Sequence, residues 1–147
     1  RNTMTADTRL IVCPDCQAVN RVVTDRASEA VCGKCRSEAF PPAPLELSGS
    51  TFDRHISKDE IPVLVDFYSP TCGPCLMMGP QFEEAARTLH PRVRFAKLDT
   101  SADQSVAARF SIQAVPTLIL FKGGREIARQ SGAMGSNDII QWATPHL

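Results

Sequence analysis

The sequence predicts an α/β domain, a mixed β-sheet sandwiched by helices, with a small cysteine-rich module ahead of it. Three observations carry that prediction. From residue 45 onward, short apolar runs alternate with stretches of helical periodicity, the pattern of strands joined by helical crossovers. Lys122-Gly-Gly-Arg125 separates two strand-like runs and has the glycines of a tight hairpin, so one strand pair is antiparallel. Before residue 45, four cysteines form two Cys-x-x-Cys pairs, and Pro41-Pro-Ala-Pro44 then breaks the chain.

Size and charge narrow the functional classes. A chain of 147 residues has room for a modest domain plus a module, and 43% hydrophobic content is ordinary for a packed protein. Lys and Arg number 16 and so do Asp and Glu, which argues against a nucleic-acid binder dependent on phosphate contacts. No apolar stretch approaches the roughly 20 residues that span a bilayer. Arg1 to Asp7 are polar and lack the apolar segment of a secretory signal, and Met4 is a candidate start. Six cysteines in such a chain point to a reducing, cytoplasmic setting, where thiols bind metal or do chemistry.

Residues 1–40 read as a zinc ribbon with a flexible amino terminus. Cys13-Pro-Asp-Cys16 and Cys32-Gly-Lys-Cys35, fifteen residues apart, are two knuckles spaced to close around one tetrahedral ion. Two disulfides, a redox role for one pair, or iron are the alternatives. Ala18 to Val23 and Glu29 to Val31 are expected as short strands. So short a segment has too little apolar surface to fold unaided, and metal would supply the folding energy. Six basic residues stand against five acidic ones in residues 1–40, with no aromatic before Phe40, a poor surface for nucleic acid.

Residues 41–44 form a semi-rigid spacer, and a second domain is expected over 45–147. Leu45-Glu-Leu47 is a short strand. Ser48 or Ser50 is expected to cap a helix containing Phe52 and Ile56, and Lys58-Asp-Glu60 to be a solvated loop. The run from 62 to 68 is a strand buried on both faces. Leu76, Met77, Phe82, Ala85, Ala86 and Leu89 continue a helix to about His90, kinked at Pro80, with Met77 and Met78 as packing residues. Val93 to Asp99 is a strand, and Ser101 is expected to cap a helix over 102–110. Ala114 to Phe121 and Glu126 to Ser131 pair across the hairpin. A last helix after Ser136-Asn-Asp138 covers the sheet with Ile139, Ile140 and Trp142. The order after residue 44 is β-α-β-α-β-α-β-β-α, with right-handed crossovers. His55, His90 and His146 read as surface or helix-end residues.

The chemistry centres on Val63-Leu-Val-Asp-Phe-Tyr-Ser-Pro-Thr-Cys72-Gly-Pro-Cys75. A buried strand delivers Cys72 to the start of a helix, where free N–H groups and the helix dipole favour a thiolate. Pro74 fits because the first helical positions have no intrahelical use for their N–H. Cys75 follows one turn later on the same face and can attack a mixed disulfide formed by Cys72. Half of a metal site or a structural disulfide is the bland alternative.

With Ala114-Val-Pro116-Thr117, Phe121-Lys-Gly-Gly124 and Gly132-Ala133, this stretch strongly resembles the thioredoxin family over residues 45–147. With the paired-cysteine ribbon, the whole chain resembles that family's bacterial thioredoxin 2 type. The resemblance implies the thioredoxin fold and a dithiol–disulfide oxidoreductase in which Cys72 attacks and Cys75 resolves. It implies that Asp66 handles the Cys75 proton with Lys97 beside it, and that Pro116 is the family's cis-proline. Thr71, Gly73, Pro74, Val115, Gly132 and Ala133 would contact an extended substrate strand, with Val115 hydrogen-bonding to it. Disulfide-containing proteins are the implied substrates and thioredoxin reductase the implied electron source. Zn²⁺ at Cys13, Cys16, Cys32 and Cys35 is the expected cofactor, with no organic cofactor, no nucleic-acid or membrane partner, and a monomeric chain. Three positions depart from the family: Thr71 and Tyr68 where tryptophan is common, and Leu76 where a basic residue is common. A zinc-dependent protein-binding or holdase module with secondary redox activity is the alternative function.

Overall fold

A computed structural model describes residues 7–147; the flexible terminus and candidate start expected at residues 1–6 lie outside them. The amino-terminal part holds β1 (Thr8–Val12) and β2 (Val19–Val23), followed by a 3₁₀ turn at Thr24–Glu29. Next come β3 (Leu45–Leu47), α1 (Phe52–Lys58), β4 (Val63–Tyr68), α2 (Gly73–Leu89), β5 (Arg94–Asp99) and α3 (Gln104–Arg109). The hairpin β6 (Thr117–Lys122) and β7 (Arg125–Ser131) leads to α4 (Ser136–Ala143) and a final 3₁₀ turn.

The large sheet has the order β3-β5-β4-β6-β7. β3, β5 and β4 run parallel, and β6 and β7 are antiparallel to their neighbours. Gly123 and Gly124 turn the hairpin at φ 59° and 81°, left-handed values that favour glycine. Period-2 alternation divides the strand side chains between two cores. On one face Val63, Val65, Phe67, Leu98, Ile119 and Phe121 pack with Phe52 and Ile56 of α1 and Val106 of α3. On the other, Leu64, Phe95, Leu118 and Leu120 meet Met78, Phe82 and Leu89 of α2 and Ile139 of α4. Central strand β4 is buried on both sides, which is why it reads as an unbroken apolar run.

Several local expectations are corrected. The partner of β2 is β1, ahead of the first knuckle; Glu29 to Val31 contribute only a single bridge, Val31 to Glu38. Thr51 and Asp103 stand at the helix starts expected for serine caps, and Ser101 instead bonds to Asp99. Met77 points to solvent, whereas Met78 is core. His55 is buried, and so is Asp59 in the stretch expected to be a solvated loop. Both errors have one cause, the seam between the two parts of the chain.

At that seam the ribbon's cluster of Ile11, Val22, Ala27, Ala39 and Phe40 is completed by Ile61 from the loop before β4. Glu60 extends the β1 edge, its N–H donating to Leu10 O and its Oε1 accepting from Leu10 N–H, both at 2.8 Å. Arg94, 1% exposed, forks onto Asp59 and also donates to Val12 O at 2.6 Å and Ala39 O at 3.4 Å. Asp59 accepts from Val12 N–H at 2.7 Å, and His55 Nδ1 lies 3.2 Å from its other oxygen. His90 Nε2 meets Phe40 O at 3.0 Å.

Candidate functional site

Strand β4 ends at Tyr68, and the chain turns so that Cys72 is the N-cap of α2. The Cys75 N–H donates to Cys72 Sγ at 3.2 Å, so one of the helix's orphan amides already points at that sulfur. Cys72 and Cys75 form a disulfide with Cα atoms 5.2 Å apart. The two sulfurs are unequal: Cys72 is half-buried at the surface, whereas Cys75 is buried beneath α2. Thr71, Gly73 and Pro74 are exposed around Cys72.

The hairpin supplies the other wall. Cys72 Sγ lies 3.6 Å from Val115 O, in the loop entering β6, and the Val115–Pro116 peptide is cis. Thr117 Oγ1 donates to Ala114 O at 2.6 Å, and Gly132 N–H donates to Pro116 O at 2.9 Å, pinning the loop against the end of β7. Gly132 has φ 99°, where a side chain would be strained, and Ala133 beside it is exposed. Thr71, Gly73 and Pro74 thus share a rim with Val115 around Cys72, and Gly132 joins it through Pro116, with Ala133 next in the chain. Leu76 and Met77, 65% and 79% exposed, extend it as an apolar shoulder.

On the strand that leads to the dithiol, Asp66 shares the α2-side face of β4 with Leu64 and is 1% exposed. Its Oδ1 has no hydrogen-bond partner among the described residues. Burial pushes its carboxyl up to about 7, against the pull of Lys97 and with a further push from Glu46. Lys97 is its register neighbour on β5, but the ammonium sits over the Tyr68 ring, 4.5 Å from the centroid. Sequence reading missed Glu46, whose carboxylate accepts from Tyr68 O–H at 2.9 Å. The available signal was a lone acid between the two buried leucines of β3.

The second cluster brings Cys13, Cys16, Cys32 and Cys35 together with all four sulfurs within 4.8 Å of one another. The knuckles are matched in backbone. Gln17 and Arg36, each after its second cysteine, have φ 68° and 72°, and their N–H groups return to Cys13 O and Cys32 O at 3.0 and 2.9 Å. N–H groups of Asp15 and Lys34 and the Asn20 amide reach Cys13 or Cys32 sulfur at 3.4 Å. The Cys35 N–H first, then Asn20, hold Cys32 down at about 6. Despite the Ala18 N–H, burial and the neighbouring sulfurs push Cys16 up to about 11. Four thiolates at this distance repel unless a cation sits among them, so the donor set suits a structural metal ion. The dithiol of α2 takes no part in this cluster.

A cysteine pair at a helix start, with a buried acid on the strand leading to it and a cis-proline loop beside it, is an arrangement suited to thiol–disulfide exchange, and it is preceded here by a four-cysteine ribbon. Residues 43–145 match the family model described as Thioredoxin, and residues 12–37 match Thioredoxin 2, N-terminal, a zinc ribbon. Thioredoxin C-3 of Corynebacterium nephridii is 40% identical over 94% of this chain and 95% of its own length. Thioredoxin 1 of a Nostoc species is 34% identical over 71% of this chain and 98% of its own. Among solved structures, a mutant thioredoxin from Halobacterium salinarum superposes with a TM-score of 0.64 at 31% identity, covering 71% of this chain and 90% of that one. The chain belongs to the thioredoxin family, whose members are protein-disulfide oxidoreductases. No helix of the described residues is long and apolar enough to cross a membrane.

Proposed function

We propose that the chain reduces disulfides in other proteins through Cys72 and Cys75. The observation that carries the reading is the inequality of the two sulfurs, Cys72 reachable at the helix start and Cys75 buried behind it. In the reduced state the Cys72 thiolate attacks one sulfur of a substrate disulfide, forming a mixed disulfide and releasing the other sulfur as a thiolate that takes a proton. Cys75 gives its proton to the Asp66 carboxylate, and the resulting thiolate attacks Cys72 Sγ. The substrate leaves as a dithiol, two electrons richer, and the Cys72–Cys75 disulfide remains. Thioredoxin reductase returns the two electrons. Thr71, Gly73, Pro74, Val115, Gly132 and Ala133 form the rim that receives the substrate strand, with Val115 O and N–H as its backbone contacts and Pro116 shaping that loop.

The four ribbon cysteines would hold Zn²⁺. Thiolates bound to one tetrahedral zinc at about 2.3 Å lie about 3.8 Å apart, and here the Cys13–Cys35 and Cys16–Cys32 sulfur pairs are each 3.6 Å apart. The metal's contribution is to hold the knuckles closed; no step of the exchange passes through it. We take residues 1–40 as the ribbon, 41–44 as the spacer and 45–147 as the redox domain, working as a cytoplasmic monomer without an organic cofactor. The test is a pair of variants in a disulfide-reduction assay. Cys72→Ser should abolish turnover, and Cys75→Ser should accumulate a mixed disulfide with substrate; retained turnover in the first refutes the mechanism.

A second reading, a zinc-dependent protein-binding or holdase module, draws on exposed Val19 and Val31 of the ribbon, 39% and 54% exposed. Partner binding that survives loss of both Cys72 and Cys75 but not of Cys13 or Cys32 would favour it.

A further inference from the structure

The register of the parallel strands lines up three charged residues. Glu46 of β3 is paired with Lys97 of β5, and Lys97 with Asp66 of β4, so the three side chains form a row on the α2 face, acid–base–acid. The row runs from exposed Glu46 through partly buried Lys97 to fully buried Asp66. Tyr68 stands two residues beyond Asp66 on the same face, opposite Asp99. A lysine flanked by two carboxylates would be expected to pair with the buried one, where attraction is least screened. It does not: no ion pair joins Lys97 to Asp66 among the described residues, and its ammonium sits over the Tyr68 ring. That ring is itself fixed, because its hydroxyl donates to Glu46. The other neighbours of Asp66 leave these groups in charge. β6 offers Leu118 opposite Asp66, α2 carries the buried Cys75 sulfur in its disulfide with Cys72, and the charged residues of α2 and α4, Glu83, Glu84, Arg87 and Asp138, are exposed.

We propose that Tyr68 and Glu46 are positioning residues that seat the Lys97 ammonium away from Asp66, and so set how readily Asp66 accepts the Cys75 proton. The inference rests on the reaction assigned above. Tyr68 supplies the aromatic face that attracts the cation, and Glu46 anchors the ring and is the competing anion. With the cation drawn aside, Asp66 faces its apolar surroundings largely uncompensated and takes a proton at neutral pH. A full Asp66–Lys97 ion pair would hold the carboxyl ionised and blunt it as a base. This gives the tyrosine, at a position where the family commonly has tryptophan, a task that tryptophan would perform without the hydroxyl tether.

The test is the titration of Asp66 by its side-chain carbonyl NMR resonance in the oxidised protein, paired with the pH profile of disulfide reduction. Glu46→Gln and Tyr68→Leu should each move the Asp66 midpoint down by about one pH unit as Lys97 turns to it. The acidic limb of the activity profile should move with it. Tyr68→Phe, which keeps the ring, should restore most of the original midpoint, a rescue that a merely structural role would not produce. Lys97→Met should move the midpoint up. Unmoved midpoints in both Glu46→Gln and Tyr68→Leu, with Lys97→Met still raising it, would overturn the proposal. Because the NMR titration is independent of turnover, its failure is distinct from failure of the exchange reaction, which Cys72→Ser reads.

Discussion

Arg94 and Asp59 form a two-pronged ion pair, Nε and Nη2 each 3.2 Å from a carboxylate oxygen, at the seam between the ribbon and the rest of the chain. Both side chains are essentially inaccessible to water. The fork of a guanidinium suits this position because its remaining donors reach Val12 O and Ala39 O, two ribbon carbonyls that would otherwise be buried unpaired.

Breaking that pair should cost far more than a surface ion pair. Arg94→Leu strands the Asp59 carboxylate and both carbonyls, and about 3–5 kcal/mol of unfolding free energy should be lost. Arg94→Lys should lose less, keeping the charge without the fork. Urea unfolding of the full chain checks both, and equal stability of all three proteins would refute the role given to the seam.

Acid should loosen the same seam. Burial alone would raise the Asp59 carboxyl, but the His55 hydrogen bond, the Arg94 charge and hydrogen bonds and the Val12 N–H outweigh it and hold it below the usual carboxylate range. A depressed acid contributes stability that is complete above the unfolded value of about 4 and is lost as pH falls through the lower folded value. Hydrogen exchange of the β1 amides should therefore accelerate below about pH 4, and Asp59→Asn should already exchange fast at neutral pH.

Asp66 works in the opposite sense. Its carboxyl, raised to about 7 chiefly by burial, favours folding most when protonated. That contribution is complete below about pH 4 and is lost as pH rises to about 7. Asp66→Asn should leave stability nearly unchanged in acid and raise it on the order of 2–4 kcal/mol at pH 8, while slowing disulfide reduction. Thermal unfolding at the two pH values measures the difference, and a variant equally stabilised at both would contradict the assignment.

Removing the metal should open the ribbon without dismantling the large sheet. Metal analysis should find about one ion per chain. Chelation, or Cys32→Ser, should release it, raise exchange in β1 and β2, and leave the protection of β4 and β6 in place. The ribbon's apolar cluster needs Ile61 to be complete, so part of its stability comes from docking, and the released ribbon should still cluster loosely against the seam.

The large elements were legible because their signals are local. Val63 to Phe67 is apolar without interruption because β4 is central, and Lys122-Gly-Gly-Arg125 announces its own turn. The cysteine knuckles are legible from their spacing, and the α2 dithiol from its place between a buried strand and a helix start. What escaped were residues whose meaning depends on distant partners. Asp59 looks like an ordinary loop acid until Arg94, 35 positions later, is seen to reach it, and His55 is hidden by the same pair. An arginine inside the apolar run Val93-Arg-Phe95 was the available clue, since such a residue is buried only when paired. Helix starts were misplaced by one to three residues because several serines and threonines compete to cap them. Met77 was misread because Leu76, Met77 and Met78 form an apolar triplet of which a helix can bury only one face.

β4 carries the seam and the dithiol at its two ends, with Val63 beside the first residue of β5 and Tyr68 leading into the turn before Cys72. Six residues of strand amount to about 20 Å. The chain is therefore bipolar: the seam sits at the entry of β4 and the dithiol just past its exit, so the two are held a full strand length apart.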